Sequence, residues 1–267
     1  MLHRVVANIR RQDWTAVVVE LAVVIIGVFI GVQASNWNED REKNQKAAEF
    51  TERLKADLRV EAWNYEIQIE YNKQVLANAQ RAADALTGKT PLSDEALLVA
   101  AYRATQLNIN SRRRATYDEL TSTGEIGLIR DQALRTLAMD VYTLPVVDQI
   151  ERHARESEYR RAFRMAFPYE VQRALAETCG DHIAPIGDYA GIATVLDYPC
   201  TTGLAADVIA AAAAILKKDP KFVALLQLRI ADIISDESVM AGYFGPQMRG
   251  PLQNLREPLQ RLAKEKP

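Results

Sequence analysis

An apolar run from Thr15 to Trp37 constrains this chain more than any other part of its sequence. The run contains one acidic residue, Glu20, and tryptophans stand at or beside its two ends, at Trp14 and Trp37. About 20 mainly apolar residues in a helix cross the hydrocarbon core of a bilayer, and tryptophan favours the membrane interface. The sequence therefore predicts a single membrane-spanning helix over residues 14–38.

This run differs from the apolar part of a cleaved signal peptide, which spans roughly 7–15 residues. It is longer, and a helix-favouring sequence follows it without a break. We therefore expect it to stay in place as an anchor. Residues 1–13 form a short tail with three arginines and one aspartate. Basic residues also follow the run, but positive charge on a short segment is the better guide to the cytoplasmic side. This places the N-terminus in the cytoplasm and residues 39–267 across the membrane.

Residues 40–87 contain neither glycine nor proline, which favours a long helix. Two periodicities compete inside this stretch. Apolar residues alternate with polar ones over residues 63–71, as in a strand, and they also recur at helical steps over residues 50–86. The helical pattern covers the whole segment, so it predicts one helix over 39–87. This helix would extend the membrane helix as a stalk and end at Gly88.

The remaining residues, 88–267, are predicted to form a helical bundle with an irregular segment over 168–203. The chain has only 12 Gly and 10 Pro, and 7% of its residues are aromatic. With abundant alanine, this composition favours an all-α protein. Ser93 and Asp131 stand at expected N-cap positions, and Pro145 interrupts the helix that Asp131 begins. Other helices are expected over residues 93–106, 112–123, 146–166, 204–218, 220–242 and 251–262.

A stripe of small residues with one acid follows one face of the membrane helix. At about 100° per residue, Gly27 and Gly31 fall within about 20° of Glu20. Glycines four residues apart let helix backbones approach closely, and a carboxylate in hydrocarbon usually marks a functional position. We interpret Glu20, Gly27 and Gly31 as an interface with another membrane helix. A plain anchor is the alternative.

Cys179 and Cys200 are the only cysteines, and both lie in the irregular segment. Across the membrane from the cytoplasm, a disulfide is the expected state. Closing a loop of this size would add about 3 kcal/mol of stability. Free thiols remain an alternative. A zinc site with His182 is another, although its fourth ligand would have to be Asp181 or Asp188.

The other charged clusters favour structural roles. The basic cluster Arg112–Arg114 is predicted to be a solvated helix end that pairs with Asp118 or Glu119, with lipid phosphates or an acidic partner as the alternative. The basic run over 152–164 contains interleaved glutamates and fits an exposed, ion-paired helix, with Glu151–Arg155 and Glu156–Arg160 in the favourable i,i+4 order. Thr116 and Glu119 have the spacing of a capping box. The net charge of −2 gives no basic field for nucleic acid.

The sequence contains no P-loop and no GxGxxG, GxSxG or HExxH motif. Isolated histidines and dispersed carboxylates do not form a catalytic pattern. We therefore predict no catalytic residues, no cofactor and no metal site.

Two segments of the sequence carry a recognisable pattern. Residues 20–39 open with a glutamate and close with Asn-Trp-Asn-Glu, and residues 116–135 contain a Thr-Tyr-x-Glu-Leu…Gly…Leu-Ile block. Together they resemble a large family of uncharacterised bacterial single-pass membrane proteins. The resemblance implies a bacterial envelope protein with a helical domain outside the membrane, and it implies no activity. The matching positions are Glu20, Asn36, Trp37, Asn38, Thr116, Tyr117, Glu119, Leu120, Gly124, Leu128 and Ile129.

These features predict a bacterial inner-membrane protein with a helical periplasmic domain that acts by binding. It would be a homo-oligomer or an accessory subunit of a larger membrane complex. A periplasmic ligand-binding sensor or transport accessory protein is the alternative, and an enzyme is less favoured. The expected partners are the lipid bilayer and a second membrane helix, from another copy or another protein. Nucleic acid is not an expected partner.

Overall fold

The computed structural model describes residues 14–144, 146–244 and 256–264. All regular structure in these ranges is helical, which confirms the all-α prediction. Short 3-10 turns occur at Ile126–Leu128 and Gly191–Thr194. The α-helices are α1 Trp14–Leu86, α2 Asp94–Arg103, α3 Ala115–Ser122, α4 Gln132–Thr143, α5 Val146–Arg155, α6 Glu158–Ala166, α7 Tyr169–Cys179, α8 Ala206–Lys218, α9 Lys221–Phe244 and α10 Arg256–Lys264.

Helix α1 continues without a break for 73 residues, which confirms the predicted extension of the apolar helix. Its most apolar window of 18 residues has a mean hydropathy of 2.2, so it is long and apolar enough to cross a membrane. The helix ends at Leu86, close to Gly88, where the sequence predicts its end. Gly88 has φ +80°, and the amide of Thr87 still donates to the carbonyl oxygen of Ala83 at 3.0 Å.

The described residues fall into two compact units. One contains the described residues up to Glu52 together with Gly127–Arg130, and the other contains Arg53–Ile126 with the described residues from Asp131 onward. We call the second unit the helical domain. Leu54 and Leu58 of α1 are completely buried. From Arg53 onward, the predicted stalk is therefore a core helix of the helical domain.

The burial of α1 explains the two competing periodicities in its sequence. From residue 61 to residue 75, buried positions occur on almost every side of the helix and include both Trp63 and Asn64. A surface helix buries a single stripe, whereas other elements cover this helix on several sides. The pattern of apolar residues alone therefore does not describe which positions are buried.

The main apolar cluster of the helical domain centres on aromatic rings of α6. The ring of Phe163 stacks on that of Phe167 with centroids 4.2 Å apart. The rings of Tyr159 and Phe222 meet edge to face at 6.5 Å. Around this cluster α2 packs against α7 and α8, and α9 packs against α5 and α6.

Two predicted helix starts are confirmed. The Ser93 hydroxyl accepts the amide of Ala96 at 3.2 Å. The Asp131 carboxylate accepts the amides of Ala133 and Leu134 at 2.9 and 3.1 Å. Each side chain satisfies amides that have no partner within the helix.

The capping box predicted from Thr116 and Glu119 is wrong. Helix α3 begins at Ala115 with Arg114 in the capping position and without a side-chain cap. The amide of Thr116 donates instead to the Asp57 carboxylate on α1, at 3.3 Å. A long-range acceptor thus replaces the local one.

Two other helix boundaries differ from the predictions. The charged helix expected over 146–166 is two helices, because the Ser157 hydroxyl accepts the amide of Arg160 and begins α6. The segment over 168–203 is irregular only in its second part, since it opens with α7. Pro145 and residues 245–250, between the last two predicted helices, lie outside the described residues, as do residues 251–255 of the last predicted helix.

Candidate functional site

The predicted interface with another membrane helix lies on an exposed part of α1. The large apolar side chains between Val18 and Val32 are 51–63% exposed, and Trp37 is 69% exposed. A Cβ placed on Gly27 or Gly31 would meet no atom within 4 Å. In the single chain, this stripe is therefore open to the backbone of another helix.

A buried ion pair that no local sequence pattern indicates joins α1 to the segment before α3. The Glu61 side chain is 1% exposed and lies 2.7 Å from the Arg112 guanidinium. Its other oxygen accepts the amide of Arg113 at 2.7 Å. Arg112 also donates to the carbonyl oxygen of Val141 at 2.8 Å. The pair thus holds three separate segments together.

The arginines of the basic cluster Arg112–Arg114 therefore have different roles. Arg114 pairs with Asp118 at 2.9 Å near the surface, as predicted for a solvated helix end. Arg112 is largely buried beside Glu61. The sequence did not distinguish the two arginines because nothing local marks which one faces a distant carboxylate.

Amide side chains continue the buried polar stripe along α1. Gln68 donates to Asn72 at 2.9 Å. The side-chain oxygen of Gln68 accepts from Asn108 at 3.2 Å and from Asn110 at 3.1 Å. Asn64, Gln68 and Asn72 recur at four-residue steps, and this spacing was the available signal for a polar face. These side-chain amides form hydrogen bonds with the segment that connects α2 and α3, so that its buried polar groups have partners without water.

Gln74 forms hydrogen bonds with the backbone of the segment before α8. It donates to the carbonyl oxygen of Ile192 at 2.8 Å and accepts the amides of Leu196 and Asp197 at 2.7 and 2.9 Å. A single buried side chain thus satisfies three backbone groups of a segment with little regular structure.

Cys179 and Cys200 lie at disulfide-bonding distance, with their Cα atoms 5.5 Å apart. Arg103 donates to the carbonyl oxygen of Cys179 at 3.1 Å. Its guanidinium lies 4.4 Å from the ring of Tyr198, which stacks on His182 at 3.9 Å. No three His, Cys, Asp or Glu side chains in the described ranges cluster in a way that could hold a metal ion. The two cysteines have the geometry of a disulfide.

The second segment of the family resemblance makes structural contacts. Thr116 and Tyr117 are buried. Glu119 pairs with Arg53 of α1 at 2.6 Å. Gly124 has φ +73° just after the last turn of α3, a conformation that favours glycine. These residues attach α3 to α1 and end it.

The strongest pKa shifts in the helical domain come from burial. Burial raises the pKa of Tyr71 and of Tyr159 well above that of a free tyrosine, so both hydroxyls stay protonated at neutral pH. The Tyr159 hydroxyl donates to the carbonyl oxygen of Ala101 at 2.8 Å. The Tyr71 hydroxyl donates to the Asp181 carboxylate at 3.4 Å. Both protonated tyrosines thus act as structural donors.

The charged helix predicted over 152–164 is only partly an exposed, ion-paired surface. Arg155 pairs with Glu151 as expected. Arg160 is half-buried and donates to the carbonyl oxygen of Thr105, whereas the sequence pattern favoured a pair with Glu156. Part of this basic surface is therefore turned toward the domain.

The chain matches no protein-family model, and it matches no curated protein and no solved structure.

Proposed function

We propose that this chain is a single-pass bacterial inner-membrane protein whose helical periplasmic domain acts by binding. The observation that carries the proposal is the exposed apolar part of α1, whose most apolar window is 0% buried. A contiguous apolar surface of this size is unfavourable in water, and its length suits a bilayer. The resemblance to a family of bacterial membrane proteins supports the envelope location.

The stripe of Glu20, Gly27 and Gly31 supports association through this helix. Small residues allow close packing of backbones in lipid. A carboxylate on the same face gains from a polar partner there, since hydrocarbon offers it none. We propose that the chain is a homo-oligomer or an accessory subunit of a larger membrane complex.

The interior of the helical domain favours binding over chemistry. Glu61, Gln68 and Gln74 are buried polar groups of the kind that could serve a reaction. Each of them instead binds a segment of the domain itself. Satisfied buried networks of this kind rigidify a fold, as suits a body that presents fixed surfaces to a partner.

We expect Gly27→Leu and Gly31→Leu each to weaken association of the full-length protein at least tenfold. A leucine side chain on the stripe would separate two backbones that pack through glycine. The measurement is co-purification of differently tagged copies, and of other membrane proteins, in mild detergent. Ala22→Leu is the matched control, because it enlarges a small residue about 160° around the helix from Glu20. Unchanged recovery with both glycine variants would contradict the proposed interface.

Orientation can be tested with single cysteines. A cysteine at Lys89, whose side chain is 73% exposed, should react with a membrane-impermeant maleimide in intact spheroplasts. A cysteine at Asn8 in the tail should react only after lysis. This expectation follows from the positive charge of the short tail. The reverse labelling pattern would place the helical domain in the cytoplasm.

A further inference from the structure

A cleft of about 500 Å³ opens on the helical domain where α5 ends and α6 begins. We call it the arginine cleft, because its lining includes four arginines: Arg155, Arg160, Arg161 and Arg164. Three of them belong to α6, where Arg164 lies three residues after Arg161 and four after Arg160, steps that make it a neighbour of each on the helix surface. The exposed thioether of Met165 completes one edge.

Acidic side chains compensate only part of this positive charge. Glu151 pairs with Arg155, and Glu156 lines the cleft itself. Arg160 donates to the carbonyl oxygen of Thr105, a neutral acceptor. Its positive charge is thus hydrogen-bonded without being neutralised.

Arg161 and Arg164 lack an ion-pair partner within the part of the chain that the structure describes. Both are exposed, so their guanidinium groups are free to turn into the cleft. Burial and the neighbouring charges of Arg164 and Arg155 lower the pKa of Arg160. Like charges held this close repel one another, and an anion in the cleft would relieve that repulsion.

Arg164 also lines a second cleft of about 390 Å³, which lies on the α7 side of the arginine cleft. This neighbour contains Arg173, one acidic side chain at Glu177, and the aromatic side chains of Tyr102 and Tyr169. A ligand longer than a single anionic group would therefore meet a further arginine and aromatic surfaces beyond Arg164.

We propose that the arginine cleft binds a multiply charged, phosphate-bearing anion. Guanidinium groups present planar forks of donors that match phosphate oxygens in bidentate geometry, and these charge-assisted hydrogen bonds are stronger than neutral ones. Arg161 and Arg164 would be the main ligands, with Arg160 behind them. The same chemistry fits a free phosphorylated molecule or a phospholipid headgroup.

The test is calorimetric titration of inorganic pyrophosphate into the full-length protein in phosphatidylcholine nanodiscs. We expect saturable binding. The double variant Arg161→Ala/Arg164→Ala should weaken this binding at least tenfold. Both side chains are exposed, so the fold should remain intact, as circular dichroism can verify. Arg161→Lys/Arg164→Lys keeps the charge but loses the planar fork, and should retain part of the affinity.

A matched control removes two arginines outside the cleft, as Arg113→Ala/Arg152→Ala, and should bind pyrophosphate as the unmodified protein does. Repeating the titration in nanodiscs that contain phosphatidylglycerol separates the two sources. Suppressed pyrophosphate binding there would identify a lipid headgroup as the occupant, and unchanged binding would identify a free anion. The proposal is overturned if pyrophosphate does not saturate in phosphatidylcholine nanodiscs. Equal weakening by the control and cleft variants would overturn it too.

Discussion

Replacing Arg112 with methionine is expected to destabilise the helical domain by about 3–5 kcal/mol, the range for breaking a buried ion pair by removing one partner. The substitution leaves Glu61, whose side chain is 1% exposed, without its charged partner. It also leaves the carbonyl oxygen of Val141 without the donor that now lies at 2.8 Å. The free energy of unfolding of the detergent-solubilised protein, followed by circular dichroism in denaturant, measures the change.

The neighbouring arginine provides a matched control. Arg114→Met breaks an ion pair with Asp118 that is about half exposed, with side-chain exposures of 48% and 49%. Exposed pairs contribute about 0–1 kcal/mol, so this variant should remain close to the unmodified protein. Similar losses of unfolding free energy for Arg112→Met and Arg114→Met would show that burial does not make the Arg112–Glu61 pair more stabilising than the exposed pair.

A second substitution should recover part of the loss. Glu61→Gln removes the charge but keeps an oxygen for the amide of Arg113, which the carboxylate now accepts at 2.7 Å. In the Arg112→Met background, no buried charge would remain uncompensated at this position. We expect the double variant to be more stable than Arg112→Met alone. A double variant that is less stable would mean that the charge on Glu61 is compensated by other groups.

Replacing both cysteines with alanine is expected to lower the stability of the helical domain by about 3 kcal/mol. Cys179 closes the end of α7, and Cys200 lies 21 residues later, before α8. The intervening chain has only a short 3-10 turn among its regular elements. Without the cross-link, this loop gains conformational freedom in the unfolded state, and that freedom favours unfolding.

Reduction separates the role of the bond from that of the side chains. Arg103 binds the backbone carbonyl of Cys179, so that contact survives in the alanine variant. A reductant should therefore destabilise the unmodified protein by a similar amount and leave the Cys179→Ala/Cys200→Ala variant unaffected. Alkylation followed by mass measurement should find no reactive thiol before reduction. Reactive thiols in protein taken directly from membranes would contradict the disulfide and its proposed periplasmic location.

Local features of the structure were predictable from the sequence where a few neighbouring residues determine the backbone. The side chains of Ser93 and Asp131 cap the predicted helices, and Gly88 ends α1. Cap and glycine signals act within one turn of the helix that they begin or end. The same reasoning failed at Thr116, because a carboxylate of a distant helix took the place of the expected local partner.

The candidate sites show the same division. Glu20, Gly27 and Gly31 share a face by helical geometry alone, so the stripe was evident from the sequence. The arginine cleft was not evident from the sequence, because the sequence pattern favoured Arg160 as an exposed partner of Glu156. The structure turns Arg160 toward Thr105 instead.

The amino-acid sequence alone determines that this chain is helical and where many of its helices begin and end. It also shows that one apolar run suits a membrane. Tertiary packing was needed to show which polar groups are buried and what they bind. Glu61 and Arg112 are 51 residues apart, and no local preference of the backbone distinguishes Arg112 from Arg114. Their roles differ because folding removes water from one arginine and leaves the other exposed, and that difference exists only once the helices are packed together.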